Sequence, residues 1–245
     1  FIPFFGFCQE KKIFQKTLSL SELSQEINDA QVTANNLVIE DCIIEYQSKK
    51  DNDLPSSKYN LDHKKLVSKN AIHKISLTFD NCIVKDTHIR LIHYELDSLN
   101  FYQCELSSFM MDSCKINVLH ISHTQFFDFI NIRNSDISIT DISKCKIPNE
   151  FSFFQNRLGS IEFNANEFLS NDINLHLSRN EFFSIEEFYK DAKTPRLSIS
   201  FIDDTLITYR IPNIEIYDCD FKGTLDLYNN TFDDSTSYNT IKLYD

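Results

Sequence analysis

The stretch that decides the fold is Cys104–Ile147, CELSSFMMDSCKINVLHISHTQFFDFINIRNSDISITDISKCKI. Three times within it, a cysteine is followed two positions later by a leucine or an isoleucine. The underlying unit is a small or polar residue, then any residue, then a large apolar residue. It begins at Cys42, Cys82, Cys104, Cys114, Thr124, Ser135, Cys145, Asn156, Asn166, Asn180, Asp204, Cys219 and Asn230. From Cys104 to Asn166 every step is ten or eleven residues, so the chain contains an internal repeat.

Short alternating runs connect these triads, for example INVLHIS at 116–122 and ISITDIS at 137–143. Alternation of β-branched or aromatic residues with polar ones is the sequence pattern of a β-strand. The Asn-Gly and Asp-Gly pairs that favour tight hairpins are absent from the sequence. Short strands at near-constant spacing therefore predict a chain that winds in one direction as a parallel β-solenoid.

Two triads are predicted to make one coil of about 21 residues, because alternate triads then stack like on like. One column of first positions contains Cys104, Thr124, Cys145 and Asn166, and the other contains Cys114, Ser135, Asn156 and Asn180. The middle residues Lys115, Asp136, Arg157 and Glu181 then form an outward column of alternating charge. Neighbouring opposite charges stabilise such a column by about 0.2–1 kcal/mol per pair.

The repeat resembles a right-handed parallel β-helix and, more loosely, the pentapeptide-repeat proteins, over residues 36–46 and 76–245. The resemblance implies an all-β fold whose coils each hold about four five-residue faces. The chain departs from the pentapeptide pattern at Phe109 and Phe129, where that family has a small residue.

One predicted helix precedes the repeat, and two insertions interrupt it. Residues 19–30 carry Leu20, Leu23 and Ile27 at helical spacing behind a capping box, which predicts a helix that covers the first coil. We therefore divide the chain into a capping segment at 1–35 and a solenoid at 36–245. The solenoid has insertions at 47–73 and 183–195, and the second insertion has a helical pattern that ends before Pro195. The last residues, TIKLYD, are predicted to form a final strand.

The insertion at 47–73 is either a solvated loop or a basic contact surface on an acidic protein. The candidate binding residues are its lysines, Lys49, Lys50, Lys58, Lys64, Lys65 and Lys69.

The net charge of −12 argues against a nucleic-acid partner. The apolar start, FIPFFGFC, is too short to span a bilayer. We therefore expect membrane association only through an upstream segment or through the basic loop. With 3 glycines in the chain, we also expect few turns with positive φ.

The chemistry-bearing residues form no specific catalytic, metal or cofactor motif. The 7 cysteines lack a CxxC spacing and are expected to pack as free thiols, which indicates the cytoplasm or the reducing side of a membrane. His120 and His123, like His88 and His93, are at odd offsets and are not expected to chelate a metal together. Asp128, Asp136 and Asp141 are scattered candidates for acid or base roles.

Three hypotheses for function follow. The first is a non-enzymatic interaction or scaffold protein that binds a protein partner through a rigid solenoid. The second is a β-helix that binds or cleaves polysaccharide, which requires three or more acidic residues to converge in one groove. The third, implied by the pentapeptide-repeat resemblance, is an acidic mimic of DNA, which requires a continuous negative stripe.

Overall fold

A computed structural model describes eleven parts of the 245-residue chain. They are residues 10–47, 61–62, 74–85, 87–147, 150–164, 166–168, 174–182, 196–200, 213–217, 224–227 and 241–244. The predicted solenoid is confirmed: the described strands form three parallel sheets, and the chain visits sheets A, B and C in turn to complete each coil of about 21 residues.

The bounds of the strands follow sheet by sheet. Sheet A contains β1 (Glu10–Phe14), β3 (Asn36–Glu40), β6 (Ile75–Asp80), β9 (Glu95–Tyr102), β12 (Lys115–Ser122), β15 (Asp136–Ser143), β18 (Arg157–Asn164), β21 (Glu181–Phe182), β22 (Arg196–Ser200) and β24 (Thr224–Leu227). Sheet B contains β2 (Thr17–Ser19), β4 (Ile43–Glu45), β7 (Ile83–Lys85), β10 (Glu105–Leu106), β13 (Gln125–Phe126), β16 (Lys146–Ile147) and β19 (Glu167–Phe168). Sheet C contains β5 (Leu61–Asp62), β8 (Ile89–Ile92), β11 (Phe109–Asp112), β14 (Phe129–Arg133), β17 (Glu150–Phe154), β20 (Asn174–Ser178), β23 (Asn213–Tyr217) and β25 (Ile241–Tyr244).

The described helix, α1 (Leu20–Thr33), starts where the sequence predicts and extends three residues beyond the predicted end. The capping box is formed: the Glu22 N–H donates to Ser19 Oγ at 3.1 Å, and the Ser19 N–H donates to Glu22 Oε2 at 2.9 Å. Leu23 and Ile27 are fully buried against the coil. Among the residues that the structure describes, no helix has the length and apolar character needed to cross a bilayer.

The helix lies within the first coil rather than ahead of it. Strands β1 and β2 precede α1 and already pair with β3 and β4 in sheets A and B. Among the described residues the paired sheets therefore already include Glu10, which is inside the segment predicted to form the cap. In this coil α1 takes the place in chain order that a strand of sheet C takes in the later coils.

Both predicted insertions lie between strands of the solenoid. Leu61–Asp62, inside the first insertion, forms β5 and pairs with β8, so these two residues belong to sheet C rather than to a loop. The second insertion, residues 183–195, lies outside the described residues. The strand pieces on either side of it, β21 and β22, both pair with β18. The predicted last strand is confirmed as β25, which pairs with β23.

The interior is filled by apolar side chains that stack from coil to coil, and this explains the high phenylalanine content. Phe79 and Phe101 stack with ring centroids 4.9 Å apart and planes 7° apart, and Phe109 meets Phe101 edge-on at 5.2 Å. All three rings are fully buried. Offset and edge-on aromatic pairs stabilise a core by about 0.5–1.5 kcal/mol each beyond the burial of their area.

The coil corners contradict the expectation drawn from the low glycine content. Eleven described non-glycine residues have φ between 49° and 61°: Gln15, Asp41, Asn81, His93, Gln103, Ser113, His123, Asn134, Lys144, Gln155 and Arg179. The expectation of few such turns was wrong because the adjacent coil supports them. In nine cases the residue donates its N–H to a carbonyl of the next coil, as Gln103 does to Ser122 at 3.0 Å. A left-handed residue with a side chain costs about 1–2 kcal/mol, and such a bond offsets about 1 kcal/mol.

Candidate functional surfaces

The first residues of the triads lie at two corners of the coil, one between sheets A and B and one between sheets C and A. The predicted columns are confirmed at both. At the A/B corner, the Cys104 N–H donates to Thr124 Oγ1 at 3.3 Å. At the C/A corner, the Ser135 N–H donates to Asn156 Oδ1 at 2.9 Å, and Asn156 Nδ2 donates to Asn180 Oδ1 at 3.1 Å.

The five described cysteines, Cys42, Cys82, Cys104, Cys114 and Cys145, are free, buried and placed to donate their S–H groups to backbone carbonyls. Cys145 Sγ lies 3.2 Å from the Ser143 oxygen and 3.5 Å from the Ile121 oxygen. Asn166 Nδ2 donates in the same way to the Ile142 oxygen at 2.8 Å. Cysteine, serine, threonine and asparagine therefore alternate at these corners because each is a small hydrogen-bond donor.

Burial makes two of these thiols unreactive. It raises the pKa of Cys114 and of Cys145 to about 12, from an ordinary value of 9.0. The hydrogen bond between the Cys82 and Cys104 thiols raises the pKa of Cys82, as burial also does, and lowers the pKa of Cys104. Since the thiolate is the nucleophile and the metal ligand, Cys114 and Cys145 are structural groups at neutral pH.

The candidate binding lysines lie outside the described residues, as do the triads at Asp204, Cys219 and Asn230. The candidate aspartates are described, and each contacts a different partner. Asp128 Oδ2 accepts from Ser108 Oγ at 3.3 Å, and Asp136 faces Arg157 at 3.7 Å. Asp141 faces His120, so the three carboxylates do not converge. Within the described ranges, no group of three or more His, Cys, Asp or Glu side chains is arranged to hold a metal ion.

The outer face of sheet A contains a titratable column that the sequence analysis missed. Strand pairing places His120 opposite Asp141, and Asp141 opposite Glu162. His120 Nδ1 lies 3.1 Å from Asp141 Oδ2, and the Tyr102 ring lies 5.1 Å from the imidazole. Such a carboxylate orients the imidazole and leaves Nε2 available for proton transfer. The three residues are spaced by 21 positions, so the coil length that aligned Lys115, Asp136 and Arg157 would also have found them.

The same face is predominantly acidic. Glu40, Asp80, Asp97, Asp141 and Glu162 point outward along it, and Lys12 is paired with Glu40. Along its edge the predicted column of alternating charge is confirmed in register, from Lys115 through Asp136 and Arg157 to Glu181. That column adds no net charge, so the outer face of sheet A stays acidic.

The outer face of sheet C is different in composition. Its strands β8, β11, β14, β17 and β20 contain no lysine, and Arg90 and Arg133 point outward. Met110 and Phe129 are partly exposed on this face, and Phe127 at its border with sheet B is 53% exposed. This arrangement is a strip of apolar surface beside arginines on an otherwise acidic protein.

One carboxylate organises the arginines of this face. Arg133 donates from Nε to Asp112 Oδ2 at 2.9 Å, and Arg90 lies 3.8 Å from the same oxygen. Burial tends to raise the pKa of Asp112, but hydrogen bonds from Asn134, Ser113 and Arg133 outweigh it and lower that pKa. Asp112 therefore stays ionised and holds both guanidinium groups, and this cluster retains a net positive charge.

Comparison of the chain with protein-family models, with curated proteins and with solved structures gives no match, so the fold and its two outer faces carry the functional argument.

Proposed function

We propose that this protein is a non-enzymatic interaction protein, a rigid β-solenoid that binds a protein partner through its outer faces. The observation that carries the proposal is the outer face of sheet C. Arginine, methionine and phenylalanine are enriched in protein interfaces, whereas lysine is depleted. On this face Arg90, Arg133, Met110 and Phe129 lie together, and its described strands from β8 to β20 have no lysine.

Rigidity supports the same proposal. The three sheets run in register from coil to coil, and the corners are closed by buried hydrogen bonds such as that from the Asn156 N–H to Asn180 Oδ1. A preformed surface loses little conformational entropy on binding, so a modest contact area can still give useful affinity. The free cysteines support a reducing compartment as the site of action. The lysines of the first insertion remain a proposed second contact surface.

The test is reconstitution with a purified partner. Proteins retained from a lysate of the source cells would be identified, expressed separately and titrated against the solenoid by calorimetry. We expect a one-to-one complex with a dissociation constant in the micromolar range or tighter. The proposal is overturned if no candidate binds after purification, and hydrolysis of a polysaccharide by the solenoid itself would then support the second candidate.

A second candidate, binding or cleavage of polysaccharide, is favoured by one observation, the His120–Asp141–Glu162 column. Cleavage would require Glu162 and Asp141 to share acid and base roles, which a reducing-sugar assay on the Asp141→Asn variant tests directly. A mimic of DNA is less well supported, since Lys115 and Arg157 interrupt the acidic residues along one edge of sheet A.

A further inference from the structure

We propose that the outer face of sheet C binds an acidic protein segment that carries large apolar side chains. The inference rests on the proposed function and names both the surface and the chemistry of the partner. The first support is exposed apolar area. Phe127 is 53% exposed, and the partly exposed Phe129 ring lies 6.4 Å from the His88 ring, measured between centroids. Exposed aromatic side chains beside other apolar groups are typical anchors for a partner.

The second support is charge. Among the described side chains of this face and its corner with sheet A, Arg90, Arg133 and Arg179 are basic and Asp112 is acidic. The protein as a whole has a net charge of −12, so its composition does not predict a basic strip on the surface. Such a strip attracts acidic partners, whereas the rest of the surface repels them.

The third support is geometry. Phe154 and Arg133 are neighbours in register on adjacent strands, and the Arg179 guanidinium lies 5.8 Å from the centre of the Phe154 ring. Arginine held over an aromatic ring presents a flat apolar surface and still offers donors to carboxylates. Arg133, Phe154 and Arg179 therefore place a cation, an aromatic ring and a second cation on three successive coils. The five strands from β8 to β20 span about 19 Å, the length of about six extended residues.

The outer face of sheet A does not suit an acidic segment with large apolar side chains. Its exposed aromatic residues, Phe14 and Tyr102, are register neighbours of acidic residues, Phe14 of Glu40 and Tyr102 of Asp80. No described aromatic residue on that face sits among arginines in the way that Phe154 does. The two faces therefore differ in the partner they would select.

The probes are four labelled peptides of about ten residues that alternate Glu with Phe, Lys with Phe, Glu with Ser, and Lys with Ser. Binding to the full chain is measured by fluorescence anisotropy at low and high salt. We expect the Glu/Phe peptide to bind at least tenfold tighter than each of the others and to weaken as salt rises. No measurable binding of the Glu/Phe peptide, or equal binding of the Lys/Phe peptide, overturns the inference.

Matched variants locate the binding surface. Phe127→Ser and Arg179→Glu should each weaken the Glu/Phe peptide by about fivefold or more. Phe14→Ser and Arg157→Glu change an exposed aromatic and an exposed arginine on sheet A, and should change the affinity less than twofold. Circular dichroism of all four variants checks that the solenoid stays folded. Equal losses in the two pairs place the peptide elsewhere and overturn the inference.

Two further measurements identify a different occupant. If sedimentation shows a dimer that Phe127→Ser and Arg179→Glu dissolve, the face binds a second copy of this chain and the inference fails. If a purified protein partner binds the two sheet C variants as tightly as wild type, the inference fails while the proposed function stands. If neither a purified partner nor any peptide binds the wild-type chain, both fail.

Discussion

The Cys-lined part of the A/B corner and the Asn-lined part of the C/A corner perform the same task with different chemistry. Asn156 donates from Nδ2 to the Ile132 oxygen at 2.9 Å and accepts the Ser135 N–H at 2.9 Å. In the stack of Cys42, Cys82 and Cys104, each thiol donates to carbonyls of its own coil and the preceding one. The Cys42 and Cys82 N–H groups also donate to the sulfur of the next cysteine in the stack. Because sulfur is a weak acceptor, this second bond is weaker than the one that an asparagine oxygen accepts.

The triad positions of the two corners share a hydrogen-bond donor and differ in the acceptor that they offer. A small donor is present at every described triad position of both corners, because the strand that ends two residues earlier presents a carbonyl there. An acceptor for the adjacent coil is present where the column continues with Thr, Ser or Asn. We infer that the asparagine corners bind neighbouring coils more strongly than the thiol stack does.

The largest expected effect comes from Asn156→Ala. It leaves the Ser135 N–H buried without its acceptor and opens a small cavity, so unfolding free energy should fall by about 2–4 kcal/mol. Urea denaturation measures the loss. Asn156→Ser should recover part of it, because a hydroxyl at this corner accepts the neighbouring N–H in the Cys114–Ser135 pair. Cys145→Ala is the matched thiol change and should cost less, about 1 kcal/mol. Equal losses for the two alanine variants would contradict the comparison.

The second prediction concerns alkaline pH. Burial raises the folded-state pKa of Cys114 and Cys145 to about 12, above the ordinary value of 9.0. Between these values the unfolded chain releases protons that the folded chain keeps. The contribution of the two protonated thiols to the free energy of unfolding is therefore fully present below pH 9 and is lost as pH rises towards 12. At about pH 10.5 the loss should be on the order of 2 kcal/mol per thiol.

Urea midpoints near neutral pH and at about pH 10.5 test this dependence. The double variant Cys114→Ser, Cys145→Ser should lose less stability at high pH than wild type does. Asn156→Ser changes a corner without a titratable group and should show the wild-type pH dependence. If the double variant is as alkali-sensitive as wild type, the buried thiols are not the source of the effect.

The third prediction concerns a variant in which a cysteine of the A/B corner is replaced by asparagine. Cys104→Asn places an amide oxygen where the Cys82 N–H can donate to it, as Asn166 does for Cys145 at 2.9 Å. We expect unfolding free energy to rise by about 1 kcal/mol in urea denaturation. Cys104→Leu is the control of larger volume without a donor, and should lower stability by about 1–3 kcal/mol. A loss of stability in the asparagine variant would show that the thiol stack cannot accommodate the amide.

The smallest effect tests the residues before the two corners. Gln103 precedes a thiol and Gln155 precedes an asparagine, and both have positive φ, at 52° and 55°. Glycine removes the steric cost of this conformation, so Gln103→Gly and Gln155→Gly should each raise stability by about 0.5 kcal/mol. Thermal denaturation of the two variants gives the comparison. Unequal gains would mean that the corner chemistry, rather than the backbone, sets the local strain.

The solenoid, the coil length and the stacking of its corners could all be predicted from the order of residues. Constant spacing of Cys104, Thr124 and Cys145 is sufficient for this, because residues one coil apart must occupy equivalent places. The capping box at Ser19 and Glu22 was readable for the same reason, since its partners are three residues apart. Regular spacing and hydrogen bonds between residues close in the chain can be recognised directly in the sequence.

Other features of the fold depend on contacts between residues that are far apart in the chain. The positive φ values at Gln103 and Gln155 depend on carbonyls supplied by the next coil, and composition alone suggested the opposite. The membership of Glu10–Phe14 in sheet A depends on pairing with a strand on the far side of α1. The contrast between an acidic sheet A face and an arginine-rich sheet C face depends on which alternate residues point outward, and that is set by packing of the core over many coils.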